Sequence, residues 1–288
     1  MQKTIGLLAA LLVVSLFAMP APAQRAEDYK RMPWHLADIW WDFGEATTFE
    51  SFEIDVTIEG EIGDDVNLYI APFGLSQLGE SRFYGGIQTH TLAQMKDNPR
   101  RRDLGRGGIF SMWGERSHDA IRTGPGGFME SSGHEGDFIS VRREIEWGEG
   151  RYTFRIVKQR VEYIDGAAYT WVAYTIYSHE DDVETFCGAL RFPGEDLQLG
   201  RRNAGFIELY GRRPQSLDVI PDVAITFHNP VVNGRAIERP TALAVYDQGV
   251  PDYVVAEGVV DEETGSHDIR FEVGQEVDRD SRREELFE

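Results

Sequence analysis

The sequence predicts an all-β chain, an antiparallel two-sheet sandwich of jelly-roll or concanavalin-like type. Three observations point there. Apolar and polar residues alternate with period two through most of the 288 residues. Turn-forming Gly, Pro and Asp separate more than ten short segments of this kind. Finally, no segment carries a long, capped 3.6-residue apolar period. A chain of many short strands and no long helix buries its half-apolar strands by stacking two sheets.

Taken in order, the first element is not part of the fold. Lys3, the apolar run Ile5 to Ala18 and the small residues Ala21-Pro22-Ala23 read as a secretory signal peptide cut after Ala23. The run is short for a membrane span, and no later stretch approaches spanning length, so no span is expected in the mature chain. Residues 24–213 are assigned to the sandwich. Phe52, Ile54, Val56 and Ile58 alternate with Glu53, Asp55, Thr57 and Glu59, giving a strand with one buried and one wet face. Strands follow at 66–73, 82–90, 107–113, 137–145 and 151–164, with a short helical turn over Leu92 to Lys96. Asp165-Gly166 predicts a two-residue hairpin turn into Tyr169 to Tyr177, a strand with bulk on both faces.

Further strands are expected at 184–192 and 204–210, then at 223–232, 242–247, 253–260 and 267–273. The last four lie in residues 214–274, a Pro-rich stretch read as a β-rich extension or a continuation of the sandwich. Residues 275–288, dense in Asp, Arg and Glu, are expected to be a disordered charged tail.

A formal charge of −20 repels phosphate backbones and anionic lipid, so nucleic acid is not an expected partner. Uronate polymers are repelled as well, unless Arg100, Arg101, Arg102 and Arg106 form a local basic patch; otherwise these sit in a solvated loop. The single cysteine, Cys187, allows no disulfide within the chain, and its apolar neighbours mark it as a buried structural thiol.

Four segments carry a resemblance to a known family. They are Leu68-Tyr69-Ile70-Ala71-Pro72-Phe73-Gly74 with Phe83-Tyr84-Gly85-Gly86-Ile87-Gln88; Ile109-Phe110-Ser111-Met112-Trp113; Trp147-Gly148-Glu149-Gly150-Arg151-Tyr152-Thr153-Phe154-Arg155; and the run from Tyr169. In order and spacing they resemble the secreted bacterial family named domain of unknown function 3472, over residues 48–210. The resemblance implies a lectin-like sandwich in a secreted or periplasmic protein that accompanies carbohydrate-associated modules, with no established reaction.

Double glycines beside aromatics in residues 68–147 read as a binding face, because glycine admits close backbone approach and flat rings stack on sugar C–H surfaces. The candidate ligand-binding residues are Tyr84, Gln88, His90, Trp113, Arg143 and Trp147, with glycan or polysaccharide as the expected partner. Trp113 and Trp147, each beside a glycine, are the tryptophans expected to be exposed. Gln88 and His90 share a strand face, which looks like the Gln-x-His strand of alginate-lyase jelly rolls. With an Arg (Arg142 or Arg143) and a Tyr (Tyr152 or Tyr174) they make His90, Gln88, Arg143 and Tyr174 the catalytic candidates for elimination.

Hydrolysis would need two carboxylates across a cleft, and Glu144 and Glu146 are expected on a solvent face. Asp64 and Asp65, or Asp181 and Asp182, offer oxygen ligands for a structural calcium. No other cofactor is expected. The leading expectation is a lectin-like carbohydrate-binding protein. The alternatives are a polysaccharide-processing enzyme on the same face, lyase before hydrolase, and an envelope protein-interaction module.

Overall fold

The computed structural model describes residues 25–95, 98–133 and 136–287; the expected signal peptide lies outside them. Among the described residues there is no α-helix, and nearly all strands fall into two antiparallel sheets, one of thirteen strands and one of ten. The chain is a β-sandwich. The central strands of the larger sheet run in the order Trp34–Asp42, Arg202–Leu209, Leu68–Leu78, Ser81–Gln88, Gly107–Trp113, Phe138–Glu144 and Phe128–Ser132. The smaller sheet is centred on Ser51–Glu59, Gly150–Ile164, Ala167–Ser178 and Val183–Pro193.

The period-two pattern sets which side chains meet between the sheets. Phe52, Ile54, Val56 and Ile58 are buried, as are Ile70, Phe73, Phe83, Ile87, Phe110 and Met112 from the larger sheet. Aromatic pairs cross the interface: Phe52 against Phe73 at 4.8 Å and Phe110 stacked on Tyr174 at 5.3 Å. Cys187 is buried in this core, and burial pushes its thiol pKa up. The hairpin expected at Asp165-Gly166 is present. Both residues have positive φ (51° and 82°), the twist that matches a two-residue turn to its flanking strands.

Residues 214–274 continue the sandwich, since Val223–Phe227 pairs with Ser51–Glu59 and Thr241–Val245 pairs with Trp34–Asp42. The charged C-terminal segment does not behave as the expected disordered tail. Arg283–Glu285 adds a strand beside Thr241–Val245, and Phe287 is buried and stacked on Trp41 at 6.0 Å. Its arginines are the reason that composition misleads: Arg282 grips Asp252 with two bonds, of 2.5 and 2.7 Å, and Arg279 covers the Tyr246 ring at 3.2 Å. Charge that finds partners does not keep a segment unfolded. Leu92–Met95 is a short strand where a helical turn is expected, and the neighbouring strand Asn98–Asp103 carries the arginine run assigned to a loop.

Candidate functional site

The larger sheet turns its second face outward, and there the pattern of residue sizes makes a depression. Tyr69, Ala71, Tyr84, Ile109 and Phe206 form a cluster separate from the main core, with Trp113 and Tyr210 packed against it. Small residues lie between the large rings, and two glycines are required by close approach. A Cβ on Gly74 would stand 2.6 Å from the Phe206 ring, and one on Gly86 2.1 Å from the Ile70 carbonyl oxygen. The result is a cavity of about 470 Å³ framed by Trp40, Tyr84, Trp113, Phe138 and Phe206.

A polar row crosses its floor. Strand register sets His35 opposite Glu208, Glu208 opposite Tyr69, and Tyr69 opposite Gln88, so four adjacent strands present four polar groups side by side. A bulge adds a fifth. Trp34 and Leu36 are buried, then Ala37, Ile39 and Trp41 are buried, so the inward parity switches where the register slips between His35 and Ala37. That slip puts Asp38 on the same face as His35, whose Nδ1 lies 2.7 Å from Asp38 Oδ1. Since a carboxylate only accepts, Nδ1 carries the proton, and neutral His35 keeps its lone pair on Nε2. Burial lowers the His35 pKa, but the Asp38 bond and the charges of Asp38, Glu208 and Asp247 outweigh it, and the net shift is upward.

Tyr69 is the unusual member of the row. It is 3% exposed, and its hydroxyl is buried with no hydrogen-bond partner. Burial holds its pKa well above that of an ordinary phenol, so the group stays protonated. At the opposite end of the cavity Glu130 and Arg142, both buried, pair at 2.5 Å, and Arg101 also donates to Glu130. Arg142 also donates from Nε to Ser140 Oγ at 3.3 Å and from Nη1 to the Leu92 carbonyl.

Of the residues singled out in the sequence, Tyr84, Gln88, His90 and Trp113 line this cavity, with the Tyr84 and Trp113 rings 4.5 Å apart. His90, however, is a clip at the rim. Nδ1 donates to Asp103 at 3.0 Å and Nε2 to the Asp64 carbonyl at 2.8 Å, so both nitrogens are donors and the charged form is held. Burial lowers its pKa, but these bonds win and raise it. A doubly protonated imidazole has no lone pair with which to act as the base of an elimination.

Three further expectations fall on the wrong side of the sheet. Arg143 alternates away from Arg142 and donates to the Pro125 carbonyl. Tyr174 is fully buried between the sheets, its hydroxyl donating to the Gly86 carbonyl at 3.2 Å. Trp147, expected to be exposed, is 5% exposed in the core, its Nε1 donating to the Gln88 carbonyl at 3.1 Å under the Arg106 guanidinium. His35, Asp38, Tyr69, Glu208 and Trp40 were not singled out. The segment Trp34 to Asp42 hides its strand because the bulge breaks its alternation, and Glu208 reads as one more surface acid.

The aspartates proposed for calcium have protein partners: Asp64 pairs with Arg106 at 2.9 Å, Asp181 accepts from Ser178, and Asp182 accepts from Tyr177. Among the described residues no group of three or more His, Cys, Asp or Glu side chains is gathered for a metal. The outer face of the smaller sheet has its own depression, of about 590 Å³, but its polar groups are consumed by one another. Thr57 bonds His228, His228 bonds Asp268, and Arg151 and Thr153 bond Asp55.

No family model and no curated protein matches the chain. Among solved structures, the crystal structure of scytalido-glutamic peptidase with a transition state analog inhibitor is similar over 84% of this chain and 98% of that chain, at 12% identity and a TM-score of 0.37. Among the described residues no helix is long and apolar enough to cross a membrane.

Proposed function

We propose that the chain is a secreted carbohydrate-binding protein, of the kind its resemblance to domain of unknown function 3472 implies, and that the outer cavity of the larger sheet is its site. One observation carries the reading: a floor of adjacent polar groups, His35, Glu208, Tyr69 and Gln88, is framed by the rings of Trp40, Tyr84, Trp113 and Phe206. A sugar ring has this division of surface, with apolar C–H patches that stack on aromatic faces and a rim of hydroxyls that need hydrogen-bond partners. The cavity is of the size that takes one or two such rings. Elimination from a uronate receives less support. His90 is held as a double donor and so offers no base, and Arg142 is already bound to Glu130, Ser140 and the Leu92 carbonyl.

A glycan-array screen of the protein, with and without calcium, followed by titration of any hit into Trp113→Ala and Tyr84→Ala, tests the assignment. Loss of binding by about tenfold or more in variants that melt like the parent is the expected result. Undiminished binding in both variants would place the site elsewhere.

A further inference from the structure

We propose that the outer face of the smaller sheet carries a second, catalytic site, in which Thr57 is an acyl-accepting nucleophile with His228 as its base and Asp268 behind the base, and that its substrates are carboxylic esters. The proposal is independent of the sugar reading of the larger sheet. Thr57 Oγ1 lies 2.8 Å from His228 Nε2, and His228 Nδ1 lies 2.8 Å from Asp268 Oδ2. Thr57 and Asp268 come from Ser51–Glu59 and His267–Val273, and His228 directly follows the strand Val223–Phe227 between them. Each of the three residues keeps part of its surface in solvent.

Proton direction gives this line its use. Asp268 Oδ1 accepts Ser266 Oγ at 2.5 Å and the Asn229 N–H at 2.9 Å. Burial raises the Asp268 pKa, but the bonds from His228 and Ser266 outweigh it and the net shift is downward, so the group is a carboxylate at neutral pH. A carboxylate only accepts, so His228 Nδ1 carries a proton. The neutral ring then presents its lone pair at Nε2, and the Thr57 hydroxyl donates there, which is the arrangement of an activated nucleophile and an oriented base. The other threonine and histidine pair on this face lacks that order. Thr153 Oγ1 donates to Asp55 at 2.6 Å, so toward His179 Nε2, 2.9 Å away, it can only accept.

Negative charge that develops on an attacked carbonyl oxygen has a donor at hand. Arg151 stands opposite Thr57 in register and lines the same depression as His228. Its Nε and Nη2 hold Asp55 Oδ2 at 3.0 and 2.6 Å, which fixes the guanidinium and leaves Nη1 without a bond among the described residues. Val231, Ala236 and Ile237 line the depression as well, and suit an apolar acyl chain.

In the reaction Thr57 Oγ1 bonds the acyl carbon as its proton passes to His228 Nε2, and the carbonyl electron pair moves to its oxygen. The pair returns as the bond to the leaving alcohol oxygen breaks, and His228 gives that oxygen the proton. Water then attacks the acyl-threonine by the same route, its proton passing through His228 to Thr57 Oγ1, and the acid is released.

The test incubates the full protein with p-nitrophenyl butyrate and, separately, with a fluorophosphonate, following nitrophenolate release and mapping adducts by peptide mass spectrometry. Saturable hydrolysis is expected, with the butyryl or phosphonyl group on Thr57. Thr57→Val and His228→Gln should lose at least about a hundredfold in rate, whereas Thr57→Ser retains turnover and His118→Gln, at an exposed histidine, matches the parent. Asp268→Asn should lower kcat at least about tenfold with KM unchanged, because it acts on the ring and not on the ester.

Hydrolysis undiminished in a folded Thr57→Val, or adducts mapped only to other residues, overturns the proposal. So does a parent that neither turns over the ester nor takes an adduct at Thr57. Should Thr57→Val not fold, the adduct position in the parent and in Thr57→Ser decides.

Discussion

Tyr69→Phe is the substitution in which stability and binding should move in opposite directions. The hydroxyl is buried with no partner inside a residue 3% exposed, while the ring is well held, edge-on to Phe206 at 5.1 Å and to Tyr210 at 6.4 Å. Leaving a buried hydroxyl without a hydrogen bond costs about 1–3 kcal/mol. Phenylalanine keeps the ring contacts and removes only that oxygen, so the free protein should gain about 1 kcal/mol, which for a chain of this length raises Tm by roughly 2–4 °C. The same oxygen stands in register between Glu208 and Gln88 on the cavity floor, and a ligand that displaces its cover gains it as a hydrogen-bond partner. Its loss should weaken binding by about 1.5–3 kcal/mol where the ligand group is charged, a factor of roughly 10 to 100. Thermal unfolding followed by near-ultraviolet circular dichroism, paired with calorimetric titration of the array hit, reads both. A lower Tm in Tyr69→Phe would mean that the hydroxyl has a structural duty, and the reasoning from its isolation would fail. A higher Tm with unchanged affinity would remove Tyr69 from the site.

Two further predictions concern the frame rather than the cavity. Asp42 accepts Arg201 Nε and Nη2 at 2.6 Å each and the Gly44 N–H at 2.9 Å, and the Arg201 bond is the main reason its pKa falls to about 2. A depressed carboxylate stabilises the fold above its ordinary pKa near 3.8 and stops doing so as pH drops toward 2. Allowing for solvent around Arg201, Asp42→Asn should remove about 1 kcal/mol at neutral pH and flatten stability between pH 4 and 2; an acid limb identical to the parent's in urea titrations would refute it. Removing residues 276–288 should cost at least about 2 kcal/mol, because it strips Phe287 from Trp41 and takes Arg279 and Arg282 from Asp252. An unchanged melting curve would show that the segment contributes nothing, as its composition suggests.

The strands that alternate cleanly were legible. Ser51–Glu59 and His267–Val273 fall where the apolar period puts them, and the Asp165-Gly166 turn follows from the two positive φ angles that such a dipeptide tolerates. The first strand of the larger sheet was not, for a reason contained in its own sequence. In His35-Leu36-Ala37-Asp38 two adjacent residues are buried, which no period-two template accepts, and the irregularity is the device that brings His35 and Asp38 together. The feature that obscured the strand is the one that builds the site.

Parity explains the other errors as well. Arg142 and Arg143 are chemically equal in the sequence, yet a strand sends them to opposite faces, so one lines the cavity and the other bonds the Pro125 carbonyl. Which of two adjacent arginines faces the cavity depends on the face chosen by Phe138 and Ser140, and both of those residues suit either environment. Likewise Glu208 gains its place from Ile207 and Leu209, whose burial turns it outward beside Tyr69 on a sheet face that is itself half covered. Composition sees one more acid on an acidic chain. Only the register across three strands distinguishes a carboxylate set beside a buried phenol and a histidine from the carboxylates that keep the protein in solution.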